Sequence, residues 1–350
     1  MFTPDIVKKY DPTGMLTLIE QFPEQVQEAV AIGKKADLGN LPEEVKDINS
    51  IIFLGMGGSA IGGDCLRSVL AGELRVPMQV SREYHLPAYV SEKTLVIASS
   101  YSGNTEETIS ALREAEDRKA KILCISTGGK LADIATEKGY PLITIPGGIS
   151  PRAALGYSFF PILVAFSRLG LISVKKEAVA ETIDVLEKMR LELSLATPGN
   201  PAQVLAQNLH GRIPLIYGAE GYRGVAASRW KGQINENSKH VAYWNAFAEL
   251  NHNEIVGWEN PELTKEIHLV VLRDREDVRM AKRIEVTEEI VRSRVHGITE
   301  VHSRGEHDIT RMFSLIYFGD FVSWYLAILN SADPTPVRVI DYLKGELAKL

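Results

Sequence analysis

The 350-residue chain predicts an α/β fold: two doubly wound, parallel-sheet subdomains, each an α/β/α sandwich, arising from an internal duplication. Three observations carry this prediction. Apolar runs of strand length alternate with amphipathic runs of helix length, the pattern of a parallel sheet covered on both faces. The alternation starts afresh in the second half of the chain. Several of the apolar runs end in a Gly-rich or hydroxyl-rich turn, at the end of the strand where such sheets place their ligand loops.

Taken in order, residues 1–48 read as an N-terminal helical segment with Pro and Gly punctuation. The first subdomain is expected over 49–155. There SIIFLGMGGSAIGGDCLRSVL, TLVIASSYSGNTEETISALREAEDRKA and AKILCISTGGKLADIATEKG each read as strand, turn and helix, and PLITIP adds a strand. A helical connection over 156–205 contains FPILVAFSRLGLI and is broken by Pro198, Gly199 and Pro201. The second subdomain, 206–350, repeats the pattern in IPLIYGAEGYRGVAASRWKGQI and EIHLVVLRDREDVRMAKRIEVTEEIVRSR, followed by the strand GITEVHS. The long helix ITRMFSLIYFGDFVSWYLAILN and a C-terminal DPTPVRVIDYLKGELAKL complete it.

Hydrophobic residues make up 45% and charged residues 24% of the chain, enough for a substantial core. The net charge of −6 and the lack of a Lys/Arg cluster argue against nucleic acid and for a small-molecule partner. The N-terminus has no signal-peptide core, and no apolar stretch reads as long and uninterrupted enough to span a bilayer. Cys65 and Cys124 lie in apolar surroundings without CxxC spacing, so both are expected to be reduced core residues of a cytoplasmic protein.

The most informative stretch is SSYSGNT, residues 99–105, between a buried strand and a helix. A helix N-terminus has unpaired N–H groups and partial positive charge, and the hydroxyls of Ser100, Ser102 and Thr105 add donors without bulk. That combination suits a phosphate. Plain N-capping by Ser102, Asn104 or Thr105, with Glu106 and Glu107 in the first turn, is the alternative. The matching loop of the second half, RDREDV, has no hydroxyl. A requirement of the fold would apply to both halves, so the contrast favours a ligand role in the first half only.

Gly55-x-Gly57-x-x-Ala60 in GMGGSA also fits a dinucleotide fingerprint, with Glu83 as the acidic partner, but Glu83 follows Arg82 and leads into a polar loop. STGGKL lacks the first Gly and the Ser/Thr of a P-loop. No HExxH, HxH or Cys/His spacing offers a metal site, and no cofactor is implied. Glu236 in NENSK falls near a helix C-terminus. The dipole there disfavours a carboxylate, raising its pKa toward a general base's, although from this feature alone a solvated surface Glu is the better reading. His252 in ELNHNE, taken alone, reads as an ordinary surface residue, and Arg152 in SPRAALGY follows a strand end where sheets present ligand contacts but could alone be structural.

Together, GMGGSA, SYSGNTEET, STGG, SPRAAL, RGVA with NENSK, NHN and DYLK occur in this order over about residues 50–344. The set resembles the bifunctional phosphoglucose/phosphomannose isomerases, which are built from two sugar isomerase (SIS) domains. SYSGNTEET alone indicates only an SIS domain; SPRAAL with NENSK and a downstream His is more specific. The resemblance implies that Ser59, Ser100, Ser102 and Thr105 hold the sugar phosphate, with Gly57 and Gly58 as backbone of the substrate loop. It implies Arg152 beside the enediolate, Glu236 as the base between C1 and C2, and His252 and Lys344 in ring opening. It further implies a cofactor-independent enzyme of glycolysis and gluconeogenesis, active as a homodimer in which His252 comes from the second subunit. One departure stands out. The family's Thr–Pro ahead of Arg-Ile-Asp is displaced here to Thr335–Pro336, leaving Val337 at the Thr position associated with accepting mannose phosphate. The competing readings are a non-catalytic sugar-phosphate sensor and an SIS isomerase of another phosphosugar. The first lacks a basic helix-turn-helix segment; only substrate profiling separates the second.

Overall fold

The computed structural model describes residues 2–173, 176–347 and 349. The chain divides into two compact units. One is Gln21–Ile183; the other combines the residues up to 20 with those from 184 onward. The N-terminal helical segment and the helical connection are thus each shared between the units.

The unit Gln21–Ile183 carries a five-stranded sheet of β1 (Ser50–Leu54), β2 (Met78–Ser81), β3 (Thr94–Ser100), β4 (Lys121–Ser126) and β5 (Leu142–Thr144). All pairs are parallel and the order is β2-β1-β3-β4-β5. Every residue of β1 and β3 is buried, as continuous apolar runs in a doubly covered sheet require. Ile52, Leu54, Val96, Ala98 and Cys124 pack with Leu112 and Leu131 from the helices of one face. Helix Phe22–Lys35 buries Phe22, Val26, Ala29 and Val30, an i, i+4, i+7, i+8 stripe. Both cysteines are buried and unbridged, and burial pushes the Cys124 thiol up to about 12.

The other unit has a four-stranded parallel sheet of β6 (Ile213–Ala219), β7 (Tyr243–Phe247), β8 (Ile267–Arg273) and β9 (Gly297–His302), in the order β7-β6-β8-β9. Strand for strand, β6 to β9 repeat the order of β1 to β4, which is the expected duplication. In both sheets the winding reverses between the first and third strands of the unit, so each has a crevice at the C-terminal ends of β1/β3 and β6/β8.

Helix Asp308–Leu329 corrects the expectation that no stretch is long and apolar enough to cross a bilayer. By length and composition this 22-residue helix is, and nearly all of it is buried in the fold. It packs along helix Tyr222–Ser238, where Gly319 leaves room for the Trp230 indole: a Cβ at Gly319 would lie 2.2 Å from Trp230 Nε1. The indole N–H donates to the Leu315 carbonyl at 2.8 Å. A mid-helix glycine costs roughly 1 kcal/mol against alanine; here it admits a fully buried tryptophan, worth more than that.

Candidate active site

In the unit Gln21–Ile183 the loops after β1 and β3 flank the crevice. Ser59 sits in the first turn of helix Gly57–Val69 and is 6% exposed; its Oγ accepts the Tyr101 N–H at 3.2 Å, joining the two loops. Ser100, the last residue of β3, is buried, and its Oγ lies 2.7 Å from Thr105 Oγ1. Ser102 is exposed and accepts the Asn104 N–H at 3.3 Å. Thr105 occupies the N-cap position of helix Glu106–Asp117 in extended conformation, yet its side chain makes no cap hydrogen bond. Its hydroxyl is paired with Ser100 instead, so capping does not account for it. Gly103, at φ +71°, lies so close to the next loop that a Cβ would meet the Gly128 oxygen at 1.7 Å.

The Gly57–Gly58 turn opens helix Gly57–Val69, with Gly57 at φ +48° and exposed. A Cβ on Gly58 would lie 2.8 Å from the Pro151 oxygen, so glycine lets this turn press against the short 3-10 turn Pro151–Ala153 that carries Arg152. Arg152 is buried at 6% exposure. The structure therefore gathers Ser59, Ser100, Ser102, Thr105, Gly57, Gly58 and the Arg152 turn around two adjacent helix N-termini. Tyr101, not singled out from the sequence, lies among them. Its OH accepts the Ile149 N–H at 3.3 Å, and burial raises its pKa despite that bond.

In the other unit, Glu236 lies two residues before the end of helix Tyr222–Ser238 and lines a cavity of about 710 Å³ with Asn235, Lys239 and residues 332–333 and 336–340. Its neighbours are tied down. Gln233 Nε2 donates to Asp320 at 2.8 Å, Asn235 Nδ2 to the His240 carbonyl at 2.8 Å, and Asn237 Nδ2 to Ser323 Oγ at 3.0 Å. Ser238 Oγ donates to the Ser323 carbonyl at 2.6 Å. The ammonium of Lys239 donates to the carbonyls of Glu236 at 2.7 Å and Pro334 at 3.1 Å, placing a positive charge at the negative end of the helix dipole. Lys239 stands inside NENSK, but its role is not legible from the motif. Asp320, not singled out from the sequence, has a signal there as a carboxylate in the middle of an apolar helix.

Val337 lines the Glu236 cavity. Lys344 is exposed on helix Arg338–Leu347, which begins in the cavity wall. His252 is exposed at the end of the 3-10 turn Glu249–His252 and is not part of that wall. Its segment is anchored by Glu254, whose carboxylate accepts from Tyr217 of β6 and Asn245 of β7. Among the described residues, no three His, Cys, Asp or Glu side chains gather as a metal-ion set.

Two parallel sheets of the same strand order, the first with hydroxyl-lined helix N-termini at its switch point, define a protein of SIS-domain architecture. The SIS domain family model matches residues 44–170, and the model for the bacterial phospho-glucose isomerase C-terminal SIS domain matches 199–347. A "bifunctional phosphoglucose/phosphomannose isomerase" of Caldicellulosiruptor bescii is 48% identical over 96% of this chain and 99% of its own length. One of the same name from Thermoplasma acidophilum is 38% identical over 86% of this chain and 90% of its own. A tagatose-6-phosphate ketose/aldose isomerase structure from Escherichia coli superposes with a TM-score of 0.72 at 16% identity, covering 92% of this chain and 95% of that one, a likeness of fold. The chain belongs to the bifunctional phosphoglucose/phosphomannose isomerase family.

Proposed function

We propose that the chain is an aldose–ketose isomerase interconverting glucose 6-phosphate, and mannose 6-phosphate, with fructose 6-phosphate through a cis-enediol. The observation that supports this most directly is the near-full-length likeness to bifunctional isomerases; the motifs carrying Glu236, His252, Lys344, Arg152 and the hydroxyl loop suggest the roles that follow. Ser59, Ser100, Ser102 and Thr105 grip the phosphate, and this remote binding energy positions the reacting carbons. His252 and Lys344 move protons at the ring oxygen and the C1 hydroxyl to open the ring. Glu236 takes the proton from C2 of the aldose and returns it to C1, so the pair of electrons from the C–H bond forms the enediolate and then the new C–H bond. Arg152 faces the oxygen on which negative charge develops. The steps balance within the substrate, so the reaction draws on no external oxidant or reductant.

On this reading the enzyme is a cytoplasmic homodimer of glycolysis and gluconeogenesis. The exposure of His252 supports its contribution to the active site of a second subunit. Val337, in place of a threonine in the Glu236 cavity, makes mannose 6-phosphate the substrate to examine first.

The test supplies glucose 6-phosphate and mannose 6-phosphate separately, with EDTA, and measures fructose 6-phosphate formed by the parent and by Glu236→Gln. The parent is expected to be active with both, and the variant to lose about 100-fold or more, the scale of general-base catalysis. Phosphosugar binding without turnover by the parent would favour a sensor. Near-parental turnover by Glu236→Gln would remove Glu236 from the proton transfer, and loss of activity to EDTA would overturn the metal-free route.

A further inference from the structure

The second sheet has the same switch-point crevice as the first, between the C-terminal ends of β6 and β8. The register fixes the correspondence. Ser100 pairs with Ser126 at the ends of β3 and β4, and Arg273 pairs with His302 at the ends of β8 and β9. The next residues, Tyr101 and Thr127 in the first sheet, therefore correspond to Asp274 and Ser303 in the second. Where the first unit has a neutral tyrosine, the second has a carboxylate.

That carboxylate is held as a bound anion would be. Its side chain is 3% exposed. Ser303 Oγ donates to Oδ1 and the Tyr222 hydroxyl to Oδ2. Tyr222 opens the helix that follows β6, so its hydroxyl reaches the carboxylate from that helix's first turn. Arg311 Nε lies 3.1 Å from Oδ1, and an Arg223 terminal nitrogen 3.7 Å from Oδ2. Arg223 Nε is buried with no hydrogen-bond partner among the described residues, so the same guanidinium keeps a spare donor. Burial alone would raise the pKa of Asp274; Ser303, Tyr222, the Arg275 N–H and Arg311 outweigh it and hold it below the ordinary carboxylate range. A second carboxylate acts in the neighbouring place. Asp277 caps helix Val278–Val291, accepting the N–H groups of Arg279 at 2.8 Å and Met280 at 3.0 Å, where the matching Thr105 of the first unit makes no side-chain cap bond.

We propose that the second unit retains an oxyanion site of the same design, permanently filled by the chain's own carboxylate of Asp274, and that removing this carboxylate opens the site to a small oxyanion such as inorganic phosphate. The duplication thus yields one open phosphate site per chain, with its twin closed by a built-in anion that contributes to stability instead of binding.

The experiment counts phosphate ions bound per chain and follows Tm against inorganic phosphate, for the parent, Asp274→Ser and Asp274→Asn. Asp274→Ser is expected to bind one phosphate more than the parent. It melts lower in chloride and recovers by about 5–10 °C at phosphate a hundredfold above Kd, beyond any rise in the parent. Asp274→Asn fills the hole with a neutral isostere and gains no ion. The result also separates this proposal from the phosphate reading of the first unit. If that reading fails, the counts are zero and one rather than one and two. Equal counts and equal Tm responses in parent and Asp274→Ser overturn the proposal. Should Asp274→Ser fail to refold in chloride, recovery of folded protein in phosphate at matched ionic strength supports it, and no recovery there overturns it.

Discussion

The hydroxyls of Ser100 and Thr105 lie 2.7 Å apart, one at the end of β3 and the other at the N-cap of the following helix, and neither caps that helix. One of the two hydroxyls donates to the other, so the pair is held in place with one O–H left to turn toward an anion at this helix N-terminus. Ser100→Ala and Thr105→Val each remove one of the hydroxyls at little change in volume. Each is expected to raise KM for the sugar phosphate by about 10-fold or more, from a charge-assisted hydrogen bond of about 1.5–3 kcal/mol, with kcat changed less. Weaker competition by inorganic phosphate in parallel with KM is the decisive measurement. A lowered Tm with unchanged phosphate inhibition would make the pair structural.

Much of this arrangement was legible because buried parallel strands leave a strong signal. β1, β3, β4, β6 and β8 stand out as apolar runs, and the turns after them fall where the sheet places its loops. β7 did not stand out. It is an edge strand with Tyr243 and Trp244 exposed, so its pattern follows no buried face. The missing hydroxyls of RDREDV were visible in the sequence, but what replaces them was not. Asp274 finds Ser303, Arg311 and Tyr222 from three distant segments, and no local pattern encodes that meeting. The same limit applies to Lys239, whose partner Pro334 is 95 residues away.

The helix bearing Glu236 is pinned by a buried ion pair. An Arg229 terminal nitrogen lies 3.1 and 3.0 Å from the two oxygens of Asp320, and Gln233 also donates to that carboxylate. Burial pushes the Asp320 pKa up, against the pull of Arg229 and Gln233. Asp320→Ala strands a buried guanidinium, an expected loss of about 3–5 kcal/mol. Replacing both residues by apolar ones of similar volume, Arg229→Met with Asp320→Leu, is expected to recover most of that loss. Thermal or denaturant unfolding of the single and double variants checks this. A double variant no more stable than Asp320→Ala would mean that the network, and not the stranded charge, sets the cost.

The His268–His296 contact predicts an acid-sensitive fold. His268 is 3% exposed, its Nδ1 is 3.3 Å from His296 Nδ1, and its Nε2 is 2.9 Å from Thr299 Oγ1. Burial first, and then the neighbouring His296, lower its pKa from 6.5 to about 4. The folded state thus favours the neutral ring, and between these values the unfolded chain binds the extra proton. The contribution to stability is therefore fully present above pH 6.5 and is lost as pH falls toward about 4. Its size is on the order of 3 kcal/mol. His268→Gln keeps a hydrogen-bonding group opposite Thr299 but removes the titration. Unfolding free energies of parent and variant are expected to converge as pH is lowered through this window, because the parent loses more. Parallel stability curves across the window would show that His268 takes up its proton in the folded state as readily as in the unfolded chain.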